Sequence, residues 1–316
     1  DGDLKTWYPD GRLCQETHFV DGKREGIERK FYANGKPETL ASFVADALDG
    51  QIQSWHPDGA IKAVMLYEKG LPVGEHREYY APKREGAPGA LFRVYHYTAG
   101  VLQGVQESYH ENGALAATII YEDGKLHGKK MQWDEEGTLI EEASYEKGKM
   151  NGRYYQKNAQ GEVVVLHYLD DKRHGLHQIF HPGGEIKKLE AQFVHDLLEG
   201  EVMEYAENGM KMASTFYREG KREGIASLYS EEGTLVMTMQ FKGDLREGKA
   251  VSFFPNGKVY REVHFAKDVR NGPTKTFHED GSLANIYHYL DDELHGLCQE
   301  WNVEGMLVFE GEYEHN

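Results

Sequence analysis

Aromatic and aliphatic residues return at fixed places in a 24-residue period along this chain, separated by polar residues and punctuated by glycine. One glycine series runs Gly11, Gly35, Gly59, Gly89 and onward to Gly305, and a second runs Gly2, Gly26, Gly50, Gly74 and onward to Gly296. Both keep steps of 24, apart from one of 30 before Gly89 and Gly104 and a compensating 23 and 25 around Gly184 and Gly175. Five residues after the second-series glycines stand Trp7, Phe31, Trp55, Tyr79 and their counterparts, with Lys157 the one non-aromatic among thirteen. Eight residues after most first-series glycines stand Phe19, Phe43, Tyr67 and Tyr97, and aliphatic residues such as Leu13, Ile61 and Leu91 lie between. Recurrence of this kind marks the inward positions of two strands per repeat.

The turns fit the same reading. Asp10-Gly11, Asn34-Gly35 and Asn256-Gly257 carry the dipeptides that favour type I′ hairpin turns, so the first glycine series is expected at hairpin tips. Asp21-Gly22, Asp123-Gly124 and Lys147-Gly148, half a period away, return the chain to the next hairpin. One hairpin cannot bury its apolar face, but stacked hairpins merge their faces. The expected fold is all-β: an elongated, curved or twisted antiparallel β-meander of about thirteen 24-residue hairpin repeats, forming one repeat-array domain over 1–316 with a six-residue insertion at 81–86. The aromatic ladder is expected to be its core.

Composition narrows the function. With 20 Tyr and 13 Phe the chain is too aromatic for a disordered acidic segment, and 36 Gly against 9 Pro excludes a proline-rich linker. A net charge of −17 argues against nucleic acid and anionic membrane, and favours a basic protein partner. No apolar run approaches the ~20 residues of a membrane-spanning helix. The sequence starts without Met and partway through a repeat, from which a removed leader and a periplasmic location are expected, with the cytoplasm as second choice. Cys14 and Cys298 fall near opposite ends of the repeat count, so no intrachain disulfide is expected.

Units such as Gly26-Ile27-Glu28-Arg29-Lys30-Phe31-Tyr32-Ala33-Asn34-Gly35, Tyr121-Glu122-Asp123-Gly124-Lys125 and Phe253-Phe254-Pro255-Asn256-Gly257 resemble the MORN-repeat variant of bacterial YwqK-like antitoxins. The resemblance covers essentially the whole chain. It implies a protein like the immunity proteins of secreted toxins, including phospholipase effectors of type VI secretion systems, that binds a cognate toxin and blocks it sterically. By analogy with other MORN arrays, a structural scaffold or peripheral membrane adaptor is the alternative.

Catalytic and metal motifs are missing: there is no His-Glu-x-x-His, Cys-x-x-Cys, nucleophile elbow or phosphate loop. His56, His110, His181 and His278 share a repeat position but lie at least two repeats apart, too far for one metal ion. A non-catalytic protein binder without cofactor, monomeric when free, is expected. Its specific contacts should lie where the repeat is broken. Those places are the insertion, with Tyr79, Tyr80, Lys83, Arg84 and Glu85; the disturbed repeat at Lys157, with Tyr154 and Tyr155 before it, where a bulge or kink is expected; and acidic variable positions, chiefly Asp134, Glu135, Asp170 and Asp171.

Overall fold

The computed structural model describes residues 1–84 and 86–314, and every regular element among them is a β-strand. The first repeat shows how the sequence builds them. β1 (Gly2–Trp7) and β2 (Leu13–Val20) pair antiparallel from Gly2↔Phe19 to Thr6↔Gln15, then slip so that Trp7 faces Leu13. At the tip, the Tyr8 N–H donates to the Arg12 carbonyl (2.8 Å) and the Gly11 N–H donates back to Tyr8 (2.9 Å). Gly11 is left-handed at φ 83°, whereas Asp10 stays out of that region and its carboxylate accepts the Arg12 N–H at 3.1 Å. This is a type I turn closed by a left-handed glycine, the three-residue loop with a bulge. The type I′ assignment therefore moves. It belongs to the return turns, where both central residues have positive φ: Asp21 and Gly22 at 50° and 74°, and Asp291 and Asp292 at 50° and 70°. The tip can use a type I turn because the slipped register supplies the twist that a I′ turn would otherwise provide.

Successive hairpins join through a second irregularity. β2 pairs first with β3 (Lys23–Arg24), as Phe19↔Arg24, and then with β4 (Gly26–Phe31), as Glu16↔Arg29. Between those registers the new strand carries two extra residues, with Gly26 at φ 77°. A bulge of this size takes backbone groups out of the ladder, and buried backbone groups need partners. One backbone bond survives in the bulge, as from the Val73 N–H to the Leu66 carbonyl at 2.9 Å, and side chains add to it. Where β4 has the buried Glu28, held by Thr17 and Gln15 at 2.9 Å, later repeats place His76, Gln106 and His177. His76 Nε2 donates to the Leu66 carbonyl (2.7 Å), His177 Nε2 to the His167 carbonyl (3.1 Å), and Gln106 Oε1 accepts the His96 N–H (2.7 Å). From the outer side, Nδ1 of His96, His167, His264 and His288 donates to the carbonyls of Val105, Leu176, Pro273 and Leu297 at 2.6–2.8 Å.

These bulges also decide what is buried. The deepest positions hold mostly small or polar side chains, among them Thr17, Ala41, Ala143, Ala191, Ser214 and Thr274, with Phe43 the one Phe, Tyr or Trp among the described residues. The aromatic ladder expected as core is mostly half-buried. No helix or second sheet covers these strands among the described residues, so the large rings stay partly open to solvent while the centre admits only what fits between bulged strands.

The chain divides into two units, Asp1–Tyr155 and Gln156–Asn316. In the first, β4 and β5 (Pro37–Val44) lead to a return turn fastened from the preceding repeat. Arg24 donates from its backbone N–H and its Nε to Asp46 Oδ1 (2.8 and 3.3 Å), and its guanidinium lies 3.9 Å over the Phe43 ring. The second unit repeats this Arg–Asp–aromatic fastening at Arg173–Asp196–Phe193, Arg222–Asp244–Phe241, Arg246–Asp268–Phe265 and Arg270–Asp292–Tyr289. The second unit also contains the short and the long step around Gly175 and Gly184. One residue is missing after the tip at Gly161, leaving the short strand Val163–Leu169, and one is added in the tip at 182–186, where the His181 N–H reaches the Ile186 carbonyl at 2.9 Å. The loop absorbs the added residue, so Gly175 still faces Phe193 and the strand does not flip.

The fastenings set an acid limit. Asp46, Asp196, Asp244 and Asp268 are held below the ordinary aspartate range first by the arginine backbone N–H, and Asp292 first by the guanidinium. A carboxyl more acidic folded than unfolded adds stability above its unfolded value, ~3.9, and loses it as pH falls through the folded value. Burial also pushes His177 down, so its contribution is complete above ~6.5 and fades below that pH. Thermal midpoints should fall gently below about pH 6.5 and steeply below about pH 4. His177→Gln, which copies Gln106, should remove the gentle limb; an unchanged limb would assign it elsewhere. Replacing the five aspartates by Asn should lower the midpoint at pH 7 and blunt the steep limb.

Candidate partner-binding site

The insertion keeps the closure of a regular tip and enlarges what lies inside it. The Tyr80 N–H donates to the Ala90 carbonyl at 2.9 Å, as Tyr8 does to Arg12, but residues 81–89 now stand where a regular tip has three. Gly89 keeps its place in the glycine series without the left-handed conformation of the other tip glycines. Its requirement is space: a Cβ there would collide with the Tyr80 carbonyl oxygen. The Ala87 N–H closes an inner turn onto the Arg84 carbonyl at 3.2 Å.

Two concavities adjoin here, one lined by the strands and one by the loop. A groove of 520 Å³ is walled by Met65, Tyr79, Tyr80 and Phe92, with Lys62 and Glu78 as charged groups on its lining. A smaller hollow of 250 Å³ lies among Pro82, Lys83, Arg84, Pro88 and Glu111, and shares Tyr80 and Ala81 with the groove. Tyr80 is the fixed wall between them. Its ring packs on Phe92 with centroids 4.6 Å apart, and its hydroxyl donates to the Tyr109 carbonyl at 2.8 Å. The Lys83 Nζ meets Glu111 Oε2 at 2.7 Å, and this contact, helped by Glu135, raises the Lys83 pKa.

The structure thus brings Tyr79, Tyr80, Lys83 and Arg84 together, and sets Glu135 further along the same row of tips. Glu85 lies outside the described residues. Asp134 closes its own turn, accepting the Thr138 N–H at 2.7 Å and the Glu136 N–H at 3.2 Å. Tyr154 and Tyr155 lie in the strand Lys149–Lys157, with Arg153 5.1 Å over the Tyr155 ring. Asp170 and Asp171, in the second unit, are the left-handed pair of a I′ turn (φ 51° and 67°). Sequence reasoning missed Phe92, Met65, Lys62 and Glu111. Glu111 was findable, because it occupies the tip one repeat beyond the insertion.

The recurrent histidines have a structural use. Nε2 of His56, His110, His181 and His278 donates to the carbonyls of Tyr79, Trp133, Tyr205 and Trp301 at 2.9–3.1 Å, where Tyr8 and Tyr32 use their hydroxyls. Among the described residues no group of three or more His, Cys, Asp or Glu is placed to hold a metal ion.

Each hairpin between two I′ turns is therefore one unit of sequence and of structure. Residues 1–21, 24–45, 102–123, 126–147, 246–267 and 270–291 match the family model described as MORN repeat variant. These six segments carry MORN-variant repeats. Their limits fall at the I′ turns, and none includes the 81–89 loop. No curated protein matches the chain. Solved structures that it is similar to include the crystal structure of TcdB2-TccC3-Cdc42 (13% identity, 98% of this chain and 20% of that one, TM-score 0.17). Another is the Photorhabdus luminescens Tc holotoxin pore with the mutation TccC3-D651A (8% identity, 96% and 27%, TM-score 0.14). The chain spans about a fifth to a quarter of those chains, and at such TM-scores the likeness carries no argument.

Tyr80→Phe should cost about 1 kcal/mol, the net worth of one hydrogen bond, with the loop retained. Gly89→Ala should cost more, because backbone rather than a flexible side chain must yield. Urea midpoints read both, and a harmless Gly89→Ala would refute the close approach.

Proposed function

We propose that this chain is a non-catalytic protein-binding scaffold whose regular repeats are framework and whose specific contact is the 81–89 loop with its two concavities. One observation carries the reading: a six-residue extension of a single tip builds a hollow with charged, exposed side chains beside an aromatic-walled groove of the neighbouring strands. Such a groove, ~300–1,000 Å³ with few polar groups, is the ordinary form of a recognition site. Long-range attraction to a basic partner is supported by the net charge of −17.

The finer reading is an immunity protein or antitoxin that covers the active site of a secreted toxin with a basic surface, a type VI phospholipase effector being one such toxin. It is supported by the resemblance of the repeat to the YwqK-like antitoxins and by a fold that offers a broad surface rather than a reaction centre. Blockade would take place in the periplasm. No helix among the described residues is long and apolar enough to cross a membrane.

Titration calorimetry of the purified chain against the exported protein encoded beside it tests the proposal, with inhibition of the toxin as the second readout. Deleting residues 83–88 restores a three-residue tip, Ala81-Pro82-Gly89, and should weaken binding at least tenfold with an unchanged thermal midpoint. Equal binding by the shortened chain would remove the loop from the interface. Absence of binding and of protection would remove the immunity reading.

A further inference from the structure

The loop sets exposed cations into an acidic chain. Around the two concavities stand three cations, Lys62, Lys83 and Arg84, against two carboxylates, Glu78 and Glu111, in a molecule with a net charge of −17. Glu111 is committed to Lys83 at 2.7 Å. Arg84 is exposed, and no ion pair to a described residue accompanies it. Lys62 is exposed at the mouth of the aromatic groove. An exposed guanidinium beside an apolar groove is complementary to an apolar side chain with a carboxylate close by.

We infer that the grooves take an extended segment of a protein partner, seating one large apolar side chain between Tyr79, Tyr80 and Phe92 and one of its carboxylates against Arg84. The inference rests on the scaffold reading and specifies the chemistry of its contact. The apolar side chain anchors the segment, since aromatic pockets shielded from water carry most of the binding energy at such contacts. The carboxylate fixes direction and sequence, because a planar guanidinium accepts a carboxylate in two parallel hydrogen bonds. A partner attracted by its overall positive charge would then be selected by an acidic residue at this one place. Attraction and selection would use opposite signs, so a merely basic protein would be drawn in and rejected.

Two blocked, fluorescein-labelled extended peptides test this on the full chain by fluorescence anisotropy at low salt. One carries a Trp followed three residues later by Glu; the other has Lys in place of Glu. The acidic peptide should bind at least tenfold more tightly. The double variant Lys83→Glu/Arg84→Glu should reverse that preference, and Tyr79→Ser should weaken the acidic peptide while the chain stays folded by circular dichroism at the assay temperature. Equal binding of the two peptides, binding of neither, or a preference that survives charge reversal would overturn the inference. A chain that ignores both peptides yet still binds the exported neighbour would lose this inference alone. Loss of the neighbour's binding would strike the scaffold reading instead.

Discussion

The structure depends on one constraint: each described strand-to-strand junction is bulged, and a bulge takes backbone groups out of the regular ladder. The chain answers with side chains. Buried Glu28, His76, Gln106 and His177 fill the same gap from within, and His96, His167, His264 and His288 cap carbonyls from outside. This explains why the centre of the ladder is polar or small, and why the aromatic rings lie half-exposed around it. Satisfied polar groups in a bulge specify one register, which an oily strand centre would leave free to slide.

The same economy governs the tips and return turns. A hydroxyl or imidazole reaches the next repeat at the tip, and an arginine reaches the next return turn, where an aspartate and an aromatic ring receive it. Because a backbone hydrogen bond closes each described tip, a loop can lengthen inside the closure without disturbing the strands below. The 81–89 loop does this: Tyr80 keeps both its backbone bond to Ala90 and its hydroxyl bond to the following repeat. Binding specificity can therefore change at one tip with little effect on the framework.

Much of this was legible in the sequence, because period and phase are properties of order alone. Two glycine series, two aromatic columns and one step of 30 residues placed the strands, the turns and the insertion. The type of turn was not legible. Asp-Gly and Asn-Gly at the tip read as type I′, but the slip between Thr6 and Trp7 changes the loop that closes the hairpin. The roles of the histidines were hidden for a similar reason: a bulge leaves no mark in the side-chain pattern, so its partners look like scattered imidazoles. Asp134 and Asp171 read as surface acids, yet the first closes its own turn and the second adopts a left-handed turn conformation. Of the residues around the two concavities, Tyr79, Tyr80, Lys83 and Arg84 were legible because they stand where the period fails. Phe92 and Met65 were not, because they obey it.

The bridges from Tyr8 to Phe31, from Asn34 to Pro57 and from Arg246 to Asp268 each span only 22 or 23 residues. A hairpin in this chain needs only its neighbour to be complete. Folding can therefore keep pace with the chain as it leaves a ribosome or a membrane channel, each newly released hairpin docking on the last, with no distant segment to wait for.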